Sequence, residues 1–223
     1  MPSFAGFDRS DYPGDDVMTW LLANTNLVWC GYYLAPVPSH QSTTWMTTRA
    51  ALQAAGWGIV PIYVGQQVIP PGSQNPSADT GQRDGAQAVS LMNSEGFAPG
   101  SYVYLDLENG PPLPQALQDY VAAWCDAVTG GGFGAGVYCS HAFAVDVHNL
   151  RPSCRIWAFR VPTTQSHPVP IPFPDPNPSG CGYIGAYMWQ LGQNCTAKVP
   201  PSNLSSLDMD LSCAISANPG APD

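Results

Sequence analysis

Apolar and polar positions alternate most strictly along Ser101-Tyr102-Val103-Tyr104-Leu105-Asp106-Leu107-Glu108. Val103, Leu105 and Leu107 fall on one face; Tyr102, Tyr104, Asp106 and Glu108 fall on the other, the mark of a strand. Asn109-Gly110-Pro111-Pro112 stops it. Seven other runs read as strands: residues 4–8, 27–34, 58–64, 136–139, 155–159, 183–191 and 206–212. Helical periodicity fills the gaps between the first of these. Asp15 or Asp16 caps a helix carrying Val17, Met18, Trp20, Leu21 and Leu22, and Ser42 or Thr43 opens one through Trp45, Ala51, Leu52 and Ala55. A third, capped by Asp79 or Thr80, runs through Ala86 to Met92; a fourth runs from Leu117 to Val128; a short fifth runs from Phe143 to Leu150. Pro61 inside the third strand predicts a bulge or local irregularity. Residues 161–180 hold seven prolines, which excludes a regular helix.

Five strand–helix units with short links imply a parallel sheet. Eight strands in 223 residues favour a small closed barrel. The fold class is therefore α/β, an irregular (β/α)8-type TIM barrel with five β/α units followed by strands lacking helices. Residues 1–223 read as one domain without internal repeats.

The strand ends, where such a barrel keeps its active site, carry the candidate chemistry. The first ends in Asp8, the second in Tyr33, the third near Tyr63, and the fourth in Asp106 and Glu108 behind Tyr104. The fifth offers Tyr138, the sixth Trp157, and the seventh Trp189 and Gln190. In the eighth, Asp208 and Asp210 share a face, and closure of the barrel brings Asp208 beside Asp8. The i, i+2 spacing sets Asp106 and Glu108 on one side with Cβ atoms roughly 6.5–7 Å apart, suited to a divided acid and base. Partial burial is expected at Glu108, and Asp106 is expected to stay ionised if it has the better hydrogen bonds. Glu95, the other of the two glutamates, falls on a helix surface. Aromatic faces with acids and amides suit a sugar ring: stacking below, hydrogen bonds around the hydroxyls.

Charge narrows the partners. Sixteen acids oppose seven bases, one of them lysine, for a net charge of −9. This argues against nucleic acid and anionic membrane, and leaves Lys198 alone for amine chemistry. No apolar run approaches the ~20 residues of a membrane span. An Asp-rich mouth could hold Mg²⁺ or Ca²⁺, but an acid/base pair accounts for the acids, so no metal or other cofactor is expected. Of seven cysteines, Cys154, Cys181, Cys195 and Cys213 crowd the last third, with Cys181–Cys195 the expected disulfide. Scarce lysine, abundant Pro and Gly, and these cysteines point to a secreted or envelope-associated monomer, although the N-terminus lacks a signal-peptide pattern.

The ordered set GFDRS, YLDLEN, MWQL and SLDMDLS resembles family-25 glycoside hydrolases, the Chalaropsis-type lysozymes, and more closely a secreted glycoside-hydrolase-like domain family related to them. The resemblance spans residues 4–215. It implies an incomplete (β/α) barrel hydrolysing O-glycosidic bonds of a cell-envelope or related polysaccharide. By the same resemblance Glu108 is the general acid, Asp106 its partner that orients an acetamido group or a water, and Asp8 and Asp208 complete the acidic mouth. The alternative is a catalytically silent carbohydrate-binding barrel.

Overall fold

The structure, a computed structural model, describes residues 2–68, 70–161, 171–199 and 206–223. Eight strands close in sequence order: β1 (Phe4–Asp8), β2 (Leu27–Tyr33), β3 (Gly58–Val64), β4 (Tyr102–Asp106), β5 (Gly134–Ser140), β6 (Arg155–Phe159), β7 (Ala186–Ala197) and β8 (Leu207–Ala214). Helices α1 (Asp15–Asn24), α2 (Arg49–Ala55), α3 (Ala78–Ser94), α4 (Gln115–Gly130) and α5 (Ala144–Leu150) follow β1 to β5 in turn. The five β/α units and the helix-poor remainder are both present.

Strands β1 to β7 pair in parallel, but β8 runs antiparallel to β7 and to β1. The wholly parallel sheet is thus corrected at its last strand. Too few residues join β7 to β8 for the dozen-residue crossover that a parallel return needs. Element boundaries also move, most of all in β7, which runs over Ala186–Ala197 rather than 183–191. Strand β4 stops at Asp106, leaving Glu108 beyond it. Helix α2 starts at Arg49 rather than near Ser42, because Thr47 takes a left-handed φ of 71°. Pro61 causes no bulge: its pairing with Tyr32 is regular, and the β3–β4 ladder begins only at Ile62. Ser77, not Asp79 or Thr80, caps α3, in a capping box with Thr80.

Side-chain parity divides two cores. One alternate set points inward and fills the barrel with Trp29, Val60, Ile62, Tyr104, Trp157, Met188 and Ala214. The other points outward under the helices, where Tyr63 lies edge-tilted against Trp124 of α4. The inner aromatics fit because glycines face them. A Cβ on Gly6 would stand 2.1 Å from the Trp29 ring, and one on Gly136 2.3 Å from Tyr104. At the N-terminal end of the barrel the C-terminal segment forms a stopper. Pro219 O accepts from Tyr104 Oη (3.1 Å) and Arg155 Nη1 (2.8 Å), with Arg155 stacked between Tyr102 and Tyr187.

All seven cysteines are buried free thiols, so the expected Cys181–Cys195 disulfide is not formed. Cys181 Sγ accepts from Tyr183 N–H at 3.4 Å, whereas Cys195 sits out on the β7–β8 hairpin paired to Met209. Among the described residues no helix is long and apolar enough to cross a membrane.

Candidate functional site

At the C-terminal ends of the parallel strands lies a cavity lined by ten residues, drawn from all eight strands and the loop after β4. Four are carboxylic acids: Asp8 ends β1, Asp106 ends β4, Glu108 lies two residues on, and Asp210 arrives from β8. Tyr33, Tyr138, Trp157 and Gln190 line it too. Trp157 packs edge-on against Trp29, Tyr104 and Tyr138, while its indole N–H donates to Ser212 Oγ at 3.2 Å, so the ring is locked.

Several expected site residues lie elsewhere, each for a reason of parity or register. Asp208 shares a face with Asp210 but is exposed outside the cavity. Because β8 is antiparallel, Asp8 pairs with Asp210, and Asp208 pairs with Thr196 on the hairpin beyond the rim. Tyr63 points outward and donates to Gln87 on α3 at 2.7 Å; its neighbour Ile62 lines the cavity instead. Trp189 and Gln190 are adjacent in β7, so only one can face inward: Gln190 does, and Trp189 donates to Arg160 O outside. Tyr104 faces inward but lies fully buried below the cavity floor. Glu95 caps the end of α3 and accepts from Tyr32 Oη and Thr47 N–H, so it is a structural anchor rather than a bare surface acid.

Burial also falls differently from the expectation. Asp8 and Asp106 are each 7 % exposed, whereas Glu108 is exposed. Asp8 Oδ2 accepts from Tyr33 Oη at 2.8 Å, yet Asp8 Oδ1 and Asp106 Oδ1 have no hydrogen-bond partner among the described residues. Burial first, and then the charge of Asp210, pushes the Asp8 carboxyl well above the usual range despite the Tyr33 bond. Burial, then Glu108 and Asp210, does the same at Asp106. The condition for an ionised Asp106, the better set of hydrogen bonds, is not met, and its environment favours the protonated form. Asp210 is raised by burial too, opposed by hydrogen bonds from Asn194 N–H (2.7 Å) and Gln190 Nε2 (2.8 Å).

Two glutamines that the strand-end reading passed over hold this arrangement. Gln66 and Gln67 follow β3 and diverge. Gln66 Nε2 donates to Asp84 of α3 at 3.0 Å, tying the loop to the helix layer. Gln67 is buried; its Nε2 donates to Asp106 O (2.9 Å) and its Oε1 accepts from Glu108 N–H (3.3 Å). On the opposite side Leu107 N–H donates to Tyr138 O at 3.0 Å. The side chain of Gln67 thus continues the β3–β4 ladder past its last pair, Val64 with Asp106. Gln193, a further lining residue, comes from the extended hairpin. A polar pair just after a barrel strand was the signal for Gln67; Gln193 had none, because the extent of β7 is set by pairing. Among the described residues no group of three or more His, Cys, Asp or Glu is arranged to hold a metal ion.

The barrel is similar to solved structures at low identity. An uncharacterised protein of B. stearothermophilus matches at TM-score 0.65 with 18% identity over 95% of each chain. The Tat-secreted protein Rv2525c of Mycobacterium tuberculosis, solved with L-tartrate, matches at TM-score 0.65 with 12% identity over 97% of this chain and 98% of that one. A family GH25 lysozyme from Aspergillus fumigatus matches at TM-score 0.54 with 9% identity over 96% and 95%. No curated protein matches the sequence. The family model of the Rv2525c-like, glycoside hydrolase-like domain matches residues 21–176, about two thirds of the chain, which spans β2 to β6 and both ends of the Asp106–Glu108 segment. The chain belongs to the Rv2525c-like, glycoside hydrolase-like domain family.

Proposed function

We propose that the protein hydrolyses O-glycosidic bonds of a cell-envelope or related polysaccharide by carboxylate acid/base catalysis. The observation that carries this reading is the convergence of Asp106 and Glu108 with Asp8 and Asp210 on one aromatic-floored cavity. Glycosidases need a carboxylic acid to protonate the leaving oxygen and a second carboxyl to serve as base, nucleophile or orienting group. Glu108 stands on the open side, where a leaving-group oxygen arrives, and is the proton donor. Asp106, buried two residues earlier, is its partner and orients an acetamido group or a water. Asp8 and Asp210 bound the ring-binding space with Tyr33, Tyr138, Trp157 and Gln190. No metal takes part, and one chain supplies the whole cavity, so a monomer suffices. The family likeness to the Tat-secreted Rv2525c supports a secreted or envelope-associated location.

The test is release of reducing ends from a panel including peptidoglycan, chitin and arabinan-type polymers. Glu108→Gln keeps the shape and removes the proton, and should slow release ~10²–10⁴-fold, the range for acid–base catalysis. Binding without release across the whole panel, or a Glu108→Gln variant as fast as wild type, refutes the assignment; the former leaves a carbohydrate-binding barrel.

A further inference from the structure

The cavity is rich in acceptors and poor in donors. A carboxyl accepts hydrogen bonds at both oxygens when ionised and keeps acceptor capacity when protonated, so the four acids offer acceptors in either form. Three of the donors nearby are engaged, Tyr33 Oη on Asp8, Gln190 Nε2 on Asp210 and the Trp157 indole N–H on Ser212, which leaves Tyr138 Oη and Gln193 Nε2 to face four carboxyls. Among the described residues no Lys, Arg or His lines the space. Two carboxyls suffice for glycoside hydrolysis, yet four line this cavity, and Asp8 Oδ1 and Asp106 Oδ1 are buried at its edge with no hydrogen-bond partner among the described residues.

We propose that the glycan bound here carries a free amino group, as in a de-N-acetylated hexosamine, and that its ammonium docks between Asp8, Asp106 and Asp210. This rests on the glycan-hydrolysing reading of the same cavity and names its substrate class. An ammonium brings three N–H donors to orphaned oxygens and offsets the repulsion among the acids through charge-assisted bonds. A sugar carboxylate or phosphate would instead place an anion among four carboxyls, with no base among the described lining residues to receive it. The net charge of −9 draws a polycation towards the protein at long range.

The groups facing the ammonium are Asp8 from β1, Tyr33 from β2, Asp106 and Glu108 from β4 and its following loop, Tyr138 from β5, and Asp210 from β8. Burial and mutual repulsion hold Asp8, Asp106 and Asp210 towards their neutral forms in the empty site. A docking cation reverses that preference, so binding expels protons into solvent.

Calorimetric titration of glucosamine and galactosamine oligomers, against their N-acetylated counterparts of equal length, tests this in two buffers of different ionisation enthalpy. The de-N-acetylated oligomers should bind roughly 10–100-fold more tightly, from one charge-assisted interaction, weaken with salt and release protons. Asp8→Asn should erase the preference, and Asp208→Asn, outside the cavity, should leave it intact. Equal or tighter binding of the N-acetylated oligomers, binding of neither set, or binding without proton release overturns the proposal. Parallel reducing-end assays separate the two readings. Cleavage of N-acetylated glycans alone sinks the amine site and spares the hydrolase. Proton-releasing binding of amino-glycans with no cleavage of any glycan does the opposite.

Discussion

Gln67→Ala removes the side-chain clamp on the Asp106–Glu108 segment. Gln67 is 4 % exposed and makes two hydrogen bonds there, to Asp106 O at 2.9 Å and from Glu108 N–H at 3.3 Å. Each is worth about 1 kcal/mol, and the stranded carbonyl and amide add a desolvation cost, giving a loss of roughly 2–4 kcal/mol. In a chain of this size that lowers the melting temperature by roughly 5–15 °C. Leu107 N–H keeps its bond to Tyr138 O, so the segment stays attached on the β5 side and swings on the other. A displacement of about 1 Å at Glu108 is enough to cost ~10²-fold in rate. Gln67→Glu sharpens the comparison: it preserves an acceptor for Glu108 N–H but turns a carboxylate towards the Asp106 carbonyl. Hydrogen exchange at the Glu108 amide reads the clamp directly and needs no substrate. Exchange there should quicken while Phe7 in β1 is unchanged, and kcat on the glycan found by the panel should fall with KM nearly constant. Wild-type exchange at Glu108 together with wild-type kcat, stability loss or not, would refute the positioning role.

Asp106→Asn should stabilise the protein at neutral pH. Burial raises the Asp106 carboxyl above its ordinary value of 3.8, so its contribution to stability is complete below that pH and is lost as pH climbs through the raised value. The melting-temperature difference between variant and wild type should therefore widen from acid to neutral pH; a flat difference defeats the argument. Asp210→Asn should lower glycan affinity or rate by at least ~10-fold, the worth of a charge-assisted contact, whereas Asp208→Asn should do nothing; the reverse order in the panel assay would show that the register of β8 is misread. Exchange with oxidised glutathione should crosslink Cys125 to Cys154, whose Sγ atoms lie 3.3 Å apart, and leave Cys181 and Cys195 as thiols. Peptide mapping that recovers a Cys181–Cys195 link contradicts this.

The period of the hydrophobic pattern is a local property, and it determined the eight strands, the five helices and the ring of strand ends at which to look for chemistry. It also put Tyr102, Tyr104, Asp106 and Glu108 on one face, because strict alternation leaves no other choice. Long-range pairing decided what the pattern left open. Nothing local says that β8 runs antiparallel, yet that direction brings Asp210, not Asp208, opposite Asp8. Which parity faces inward in β3 and β7 depends on neighbours across the barrel, so Ile62 and Gln190 displaced Tyr63 and Trp189 from the cavity. Depth likewise belongs to the tertiary structure: Tyr104 sits below the floor, Asp106 is sealed and Glu108 stays open, although the three alternate along one strand and its extension. The sequence by itself determined which residue types could meet; the closure of the barrel, through strand direction and burial, decided which of them do and which carry a proton when they meet.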